Sequence, residues 1–166
     1  RRRDSIFRLF KVIFVPENVL NEIESERTIS WISEGLRRDC LALYTPLDEA
    51  GEVRELVEKS RLYPQIPSID VPEALCLVIG RRRGYTVLTE NRGALLVPRF
   101  LEDYSKVMVW RALEVLLNLA LRSILNVDCS NPEELFEEYS RDTLHMFPTR
   151  ALEEAVEEVK EHCRKR

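Results

Sequence analysis

Four short apolar runs recur along the chain, at 12–15 (Val-Ile-Phe-Val), 40–44 (Cys-Leu-Ala-Leu-Tyr), 85–88 (Tyr-Thr-Val-Leu) and 107–110 (Val-Met-Val-Trp). They have the length of strands, and an unbroken apolar run such as 12–15 reads as a strand covered on both faces. Helical patterns lie between them. Strands separated in this way are joined by crossovers rather than hairpins, and crossovers join parallel strands. The chain is therefore expected to be α/β, a three-layer α/β/α arrangement around a mainly parallel sheet. The intervening helices are expected at 18–26 (Val19, Leu20 and Ile23 inward), 29–38 (Ile29, Ile32, Leu36), 49–61 (an exposed helix with Val53, Leu56 and Val57 inward) and 112–125 (strongly apolar). A short helix is expected to end near Lys11, and Pro16 to end the first strand. Residues 92–104 read as a loop around Pro98, with a short helix within it as an alternative.

The stretch 69–91 organises the rest. Asp70-Val-Pro-Glu73 opens a helix as a D-x-x-E capping box. Gly84 turns the chain, and the strand 85–88 delivers Thr89-Glu90-Asn91 to its carboxyl end. If helix and strand run antiparallel, Asp70 and Glu73 meet Glu90. Ligands bind at the carboxyl edge of open α/β sheets. Oxygen ligands gathered there suit a hard cation such as Mg²⁺ or Mn²⁺. Each acid also has an ordinary structural reading: Asp70 and Glu73 as a cap, Glu22 as a charge at a helix margin, and Thr89-Glu90-Asn91 as a polar turn.

The chain of 166 residues, 45% hydrophobic, suffices for a full core and excludes disorder as its main state. A formal charge of −4 does not itself announce a nucleic-acid partner; local basic patches would have to steer phosphate. The basic groups are Arg1 to Arg3, Arg37 and Arg38, Arg81 to Arg83, and Arg164-Lys165-Arg166, all read as solvated surface. Arg92, next to Asn91, is the better phosphate contact. His145 and His162 lie in the tail, apart in sequence from other candidate ligands, and read as surface residues. There is no CxxC, Gly-rich phosphate loop or membrane-spanning run. Cys40 and Cys76 read as core fillers, and a Cys129–Cys163 bridge is one arrangement open to the other two. Charged residues at 33%, a single glutamine and the excess of Arg over Lys lean towards a thermophilic, cytoplasmic protein.

Two segments resemble the PIN-domain family of nucleases, which includes toxins of VapC type. Glu73-Ala74-Leu75, Gly84 and Val87-Leu88-Thr89-Glu90-Asn91 follow the family's order of acid, apolar helix, glycine, strand and Thr-x-Asp. Val15-Pro16-Glu17-Asn18-Val19-Leu20-Asn21-Glu22 resembles its strand, Val-Pro and Glu-bearing helix. The resemblance spans about 6–121. It implies a divalent-metal-dependent ribonuclease, with a toxin of a toxin–antitoxin pair as one form. Catalytic residues would be Glu22, Asp70, Glu73 and Asn91, metal ligands Glu22, Asp70, Glu73, Glu90 and Asn91, and substrate contacts Thr89 and Arg92. Asn91 stands where the family usually has Asp, and supplies an amide oxygen but no charge. The family's opening strand and its Asp have no match here, since no apolar strand precedes Asp4; the resemblance implies an upstream Asp completing the site. The alternative is a catalytically degenerate PIN fold that binds protein or RNA.

The domain organisation expected is a PIN-like domain over 1–127 and a helical extension over 128–166. The extension opens with the start signal Ser130-Asn131-Pro132-Glu133-Glu134 and ends in a helix near 148–162 striped by Leu152, Ala155, Val156 and Val159. Its helices suit an antitoxin or other protein partner, and the resemblance implies a homodimer.

Overall fold

The computed structural model describes residues 2–165; Arg1 and Arg166, members of the terminal basic groups, lie outside them. In chain order its elements are α1 (Ile6–Leu9), β1 (Ile13–Pro16), α2 (Glu17–Leu20), α3 (Glu26–Arg37), β2 (Leu41–Tyr44), α4 (Ala50–Ser60), α5 (Val71–Arg83), β3 (Val87–Leu88), α6 (Arg92–Phe100), β4 (Val109–Trp110), α7 (Ala112–Leu121), α8 (Glu134–Thr143) and α9 (Thr149–Arg164). Two compact units divide the chain: residues 11–110, and residues 1–10 with 111–166. The change of character expected at 128 falls inside the second unit.

The mixed helix-and-strand class and the parallel pairing are as expected. β1 pairs in parallel with β2, Ile13 opposite Leu41 and Pro16 opposite Tyr44. β3 pairs in parallel with β4, Val87 opposite Val109. Among the described residues the four strands form two separate pairs. The expectation that β1 is covered on both faces is corrected, because Phe14 is exposed while Ile13 and Val15 are half-buried.

Residues 11–110 close around α5. Asp70 precedes the helix in an extended conformation, and Pro72 follows in the first turn, where its missing N–H costs nothing. Gly84 ends it at φ 67, a left-handed conformation that lets its N–H reach the Gly80 carbonyl. Ala74, Leu75, Leu77, Val78, Ile79 and Gly80 are all buried, so α5 is apolar on nearly every side. It packs on α4, α6, β1 and β3, and its core includes Leu56, Val87, Val97 and Tyr104.

Two expected elements are redrawn. The helix expected over 18–26 stops at Leu20, because Ser25 caps a new helix by accepting the Thr28 N–H at 3.4 Å. The loop expected over 92–104 is largely helix, α6 followed by a 3₁₀ turn at Glu102–Tyr104. Pro98 lies inside α6, where it removes one backbone donor, and the helix ends two residues later.

In the other unit α7 packs with α1, α8 and α9 around Leu113, Leu116, Phe136, Phe147, Val156 and Val159. α7 ends at Leu121, earlier than expected, as Ser123 takes a left-handed φ of 55. Cys129 and Cys163 form a disulfide across 34 residues with Cα atoms 5.7 Å apart. Closing a loop of that length stabilises by about 3–4 kcal/mol. A melt in the presence of a dithiol, or of Cys129→Ser, is expected to show that loss; an unchanged midpoint would mean that the bridge is not closed in solution.

Candidate functional site

The two ends of the 69–91 stretch meet. A methyl group placed on Gly93 would lie 2.5 Å from the Pro67 carbonyl oxygen and 2.6 Å from Ile69 Cγ2. The segment that leads into Asp70 therefore lies directly against the segment that follows Asn91. The antiparallel course of α5 and β3 through Gly84 produces this contact. Asp70 is exposed, and its side chain makes no capping bond; its backbone carbonyl accepts the Ala74 N–H at 3.0 Å. The capping box read from D-x-x-E is not formed, and the Asp70 carboxylate is not spent on the helix.

Asn91 is the N-cap of α6. Its Oδ1 accepts the Ala94 N–H at 3.0 Å, and its own N–H donates to Thr89 Oγ1 at 3.0 Å. Thr89 and Asn91 thus build the turn from β3 into α6, a role their side chains suit because each satisfies a backbone N–H that the turn leaves unpaired. Glu90 and Arg92 are exposed on either side of the cap. The amide oxygen in the position of the expected Asp already holds a backbone donor.

Glu73 and Glu22 both act electrostatically on Cys76. Burial first, then Glu73 and Glu22, push the Cys76 thiol up to about 11. Two carboxylates from segments far apart in sequence thus bear on one half-buried thiol of α5. Glu73 is half-buried in the first turn of that helix, and Glu22 is exposed in the turn after α2, where its N–H donates to the Val19 carbonyl at 3.2 Å. Cys76 stays a protonated thiol near neutral pH and is not a nucleophile. Among the described residues no three of His, Cys, Asp and Glu come together as a metal-holding group. Glu22 and Glu73 are oxygen donors of the kind a hard divalent ion takes alongside water and phosphate oxygens.

A second polar cluster escaped the sequence. Glu49, expected at the start of an exposed helix, is only 2% exposed. Its carboxylate accepts the Tyr44 hydroxyl, the Leu47 N–H at 2.9 Å and the Asp48 N–H at 3.1 Å, with Arg82 Nη1 at 3.8 Å. Arg81 and Arg82 both pair with Glu52, and Arg82 also bonds Asp48 at 2.7 Å. The signal available was the strand-ending Tyr44 five residues before an acid that opens a helix, but nothing in that spacing reveals burial.

No helix among the described residues is long and apolar enough to cross a membrane. No family model, curated protein or solved structure matches the chain.

Proposed function

We propose that residues 11–110 are a PIN-like domain that hydrolyses RNA phosphodiester bonds with a divalent metal, on a three-layer α/β/α plan. The observation that carries this reading is the meeting of the Asp70 and Asn91 segments, with Glu73 in the first turn of α5 after Asp70; the effect of Glu73 and Glu22 on Cys76 supports it. Glu22 and Glu73 would hold Mg²⁺ or Mn²⁺, with Asp70 and Glu90 as the further carboxylates of the same edge. The ion supplies activation of a water and neutralisation of charge on the scissile phosphate. Asn91 and Thr89 fix the β3–α6 turn, which sets the direction of Glu90 and Arg92. Arg92, exposed in the first turn of α6, offers a forked donor to a phosphate. The helix N-terminus behind it favours the same charge.

The test is calorimetric titration of Mn²⁺ into wild type, Glu22→Gln and Glu73→Gln, with cleavage of a labelled RNA alongside. Each variant is expected to bind the ion at least about tenfold more weakly and to lose cleavage by roughly 10²-fold. Metal-dependent cleavage that survives in Glu73→Gln would sink the assignment.

One observation favours a second reading, a catalytically silent PIN-like module. The Asn91 amide is spent on a helix cap and carries no charge. In that case wild type binds no Mn²⁺, and the helices α8 and α9 are where an antitoxin or other protein partner, or a second copy, is sought. A disulfide such as Cys129–Cys163 belongs mainly to oxidising compartments, and a thermophilic cytoplasmic protein accommodates it only as the hyperthermophile exception.

A further inference from the structure

Phe14 and Tyr85 lie in the same unit as the carboxylates, and neither enters the reading above. Their rings stack with centroids 5.2 Å apart and planes within 3°. Phe14 is 38% exposed and Tyr85 40% exposed, so the pair is built in water rather than in the core. Tyr44 meets Phe14 edge-on at 6.5 Å. Register places Phe14 and Tyr44 on one face of the β1–β2 pair, because Phe14 lies opposite Ala42 and Pro16 opposite Tyr44.

The cation nearest this ring pair in the chain is Arg83, two residues before Tyr85. Its two neighbours are committed elsewhere, Arg81 and Arg82 to Glu52 and Asp48. The Arg83 guanidinium bears instead on the Tyr44 hydroxyl, and among the described residues no carboxylate is paired with it. The acids nearby are engaged: Glu49 accepts from Tyr44, and Glu17 accepts from Thr45 at 2.7 Å. An exposed ring pair with a guanidinium at its margin matches one chemistry well, a flat base on an anionic backbone. Stacking takes the base and the guanidinium takes the phosphate.

We propose that Phe14 and Tyr85, with Arg83 beside them, bind an unpaired nucleobase of single-stranded RNA. The inference deepens the RNA reading above and rests on it for the nature of the ligand. Single strands are specified because a base in a duplex has both faces already covered. Glu73 and Arg83 stand near opposite ends of α5, about 15 Å apart along the helix, so binding here and cleavage there are read by separate measurements.

The test is fluorescence anisotropy of a short labelled oligoadenylate, in EDTA so that no cleavage intervenes, against wild type, Phe14→Leu, Tyr85→Leu, Tyr85→Phe and Arg83→Gln. Circular dichroism checks that each variant folds. Phe14→Leu and Tyr85→Leu are expected to weaken binding about tenfold each, and Tyr85→Phe to restore it. Arg83→Gln is expected to lower the slope of log affinity against log salt by roughly 0.7. A matched RNA hairpin is expected to bind more weakly than the single strand. Unchanged affinity in both leucine variants overturns the proposal. So does an abasic oligomer that binds as tightly as oligoadenylate, wild type that binds neither, or self-association abolished by Phe14→Leu, which would make the rings a contact between copies. Ring-dependent binding without Mn²⁺-dependent cleavage keeps the base site and removes the nuclease reading; cleavage with ring-independent binding does the reverse.

Discussion

Glu49→Ala is expected to cost about 3–5 kcal/mol, the range for removing one partner from a buried charged network. The carboxylate is 2% exposed and holds three donors, the Tyr44 hydroxyl and the N–H groups of Leu47 and Asp48. Its loss leaves those donors unsatisfied and leaves Arg82 without one of its charge partners. The same group sets a pH dependence. Donation from Tyr44 holds the Glu49 carboxyl down at about 2, against the opposing effect of burial, with the Leu47 N–H helping. Its folded value lies below its ordinary one. The stabilisation is therefore present above about pH 5 and is lost as pH falls towards 2, on the order of 3 kcal/mol. Chemical denaturation across pH 2–7 measures it, with Glu49→Gln as the control that should flatten this window. Glu52 is also held low, chiefly by Arg82, so some acid sensitivity persists in that variant. A wild-type stability that is level between pH 5 and 2 would contradict the cluster.

Gly93→Ala is expected to cost about 3 kcal/mol, at the upper end of overpacking. The added methyl would meet a backbone oxygen, that of Pro67, at 2.5 Å, together with Ile69 Cγ2 at 2.6 Å and Asn91 Oδ1 at 3.1 Å. Backbone cannot rotate away, so the 67–69 segment or the cap of α6 must move. Two other glycines give the scale. At Gly80 the 2.5 Å contact is with a side-chain methyl, Val87 Cγ2, and the nearest backbone atom, the Tyr85 oxygen, is further off at 3.2 Å. Gly80→Ala should therefore cost less. At Gly84 nothing lies within 4 Å and the penalty is conformational, about 1 kcal/mol for a left-handed residue. Urea midpoints for the three variants should fall in that order. If Gly93→Ala is as stable as wild type, the Asp70 and Asn91 segments do not meet. If it folds but has lost Mn²⁺ binding, the contact positions the carboxylates.

Much of the candidate site could be read before any fold was known, and the part that could not has a common cause. Helix α5 was legible because Asp70, Pro72 and Gly84 are local signals for a start and a stop. The strands were legible because apolar runs of four have few other uses. Asn91 is ambiguous in the sequence: at a strand end an amide serves as ligand or as helix cap, and its role as cap shows only with α6, which the sequence hides behind Pro98. Glu22 was expected on a helix and stands in the turn after one, because Ser25 starts a new helix too soon for the first to continue.

By itself the sequence determined what depends on neighbours within a few residues: the helical course of 71–83, the turn at Gly84, the apolar stripe of α9 and the parallel sense of the strands. Tertiary structure alone decided which distant groups share a place. It set Pro67 against Gly93, Phe14 on Tyr85 and Cys129 on Cys163. It also made Glu49, one acid among many in a charge-rich chain, the buried one. Burial and long-range contact are properties of the packed chain. No local pattern encodes them, since the same glutamate at a helix start is solvated or enclosed according to what α5 brings against it.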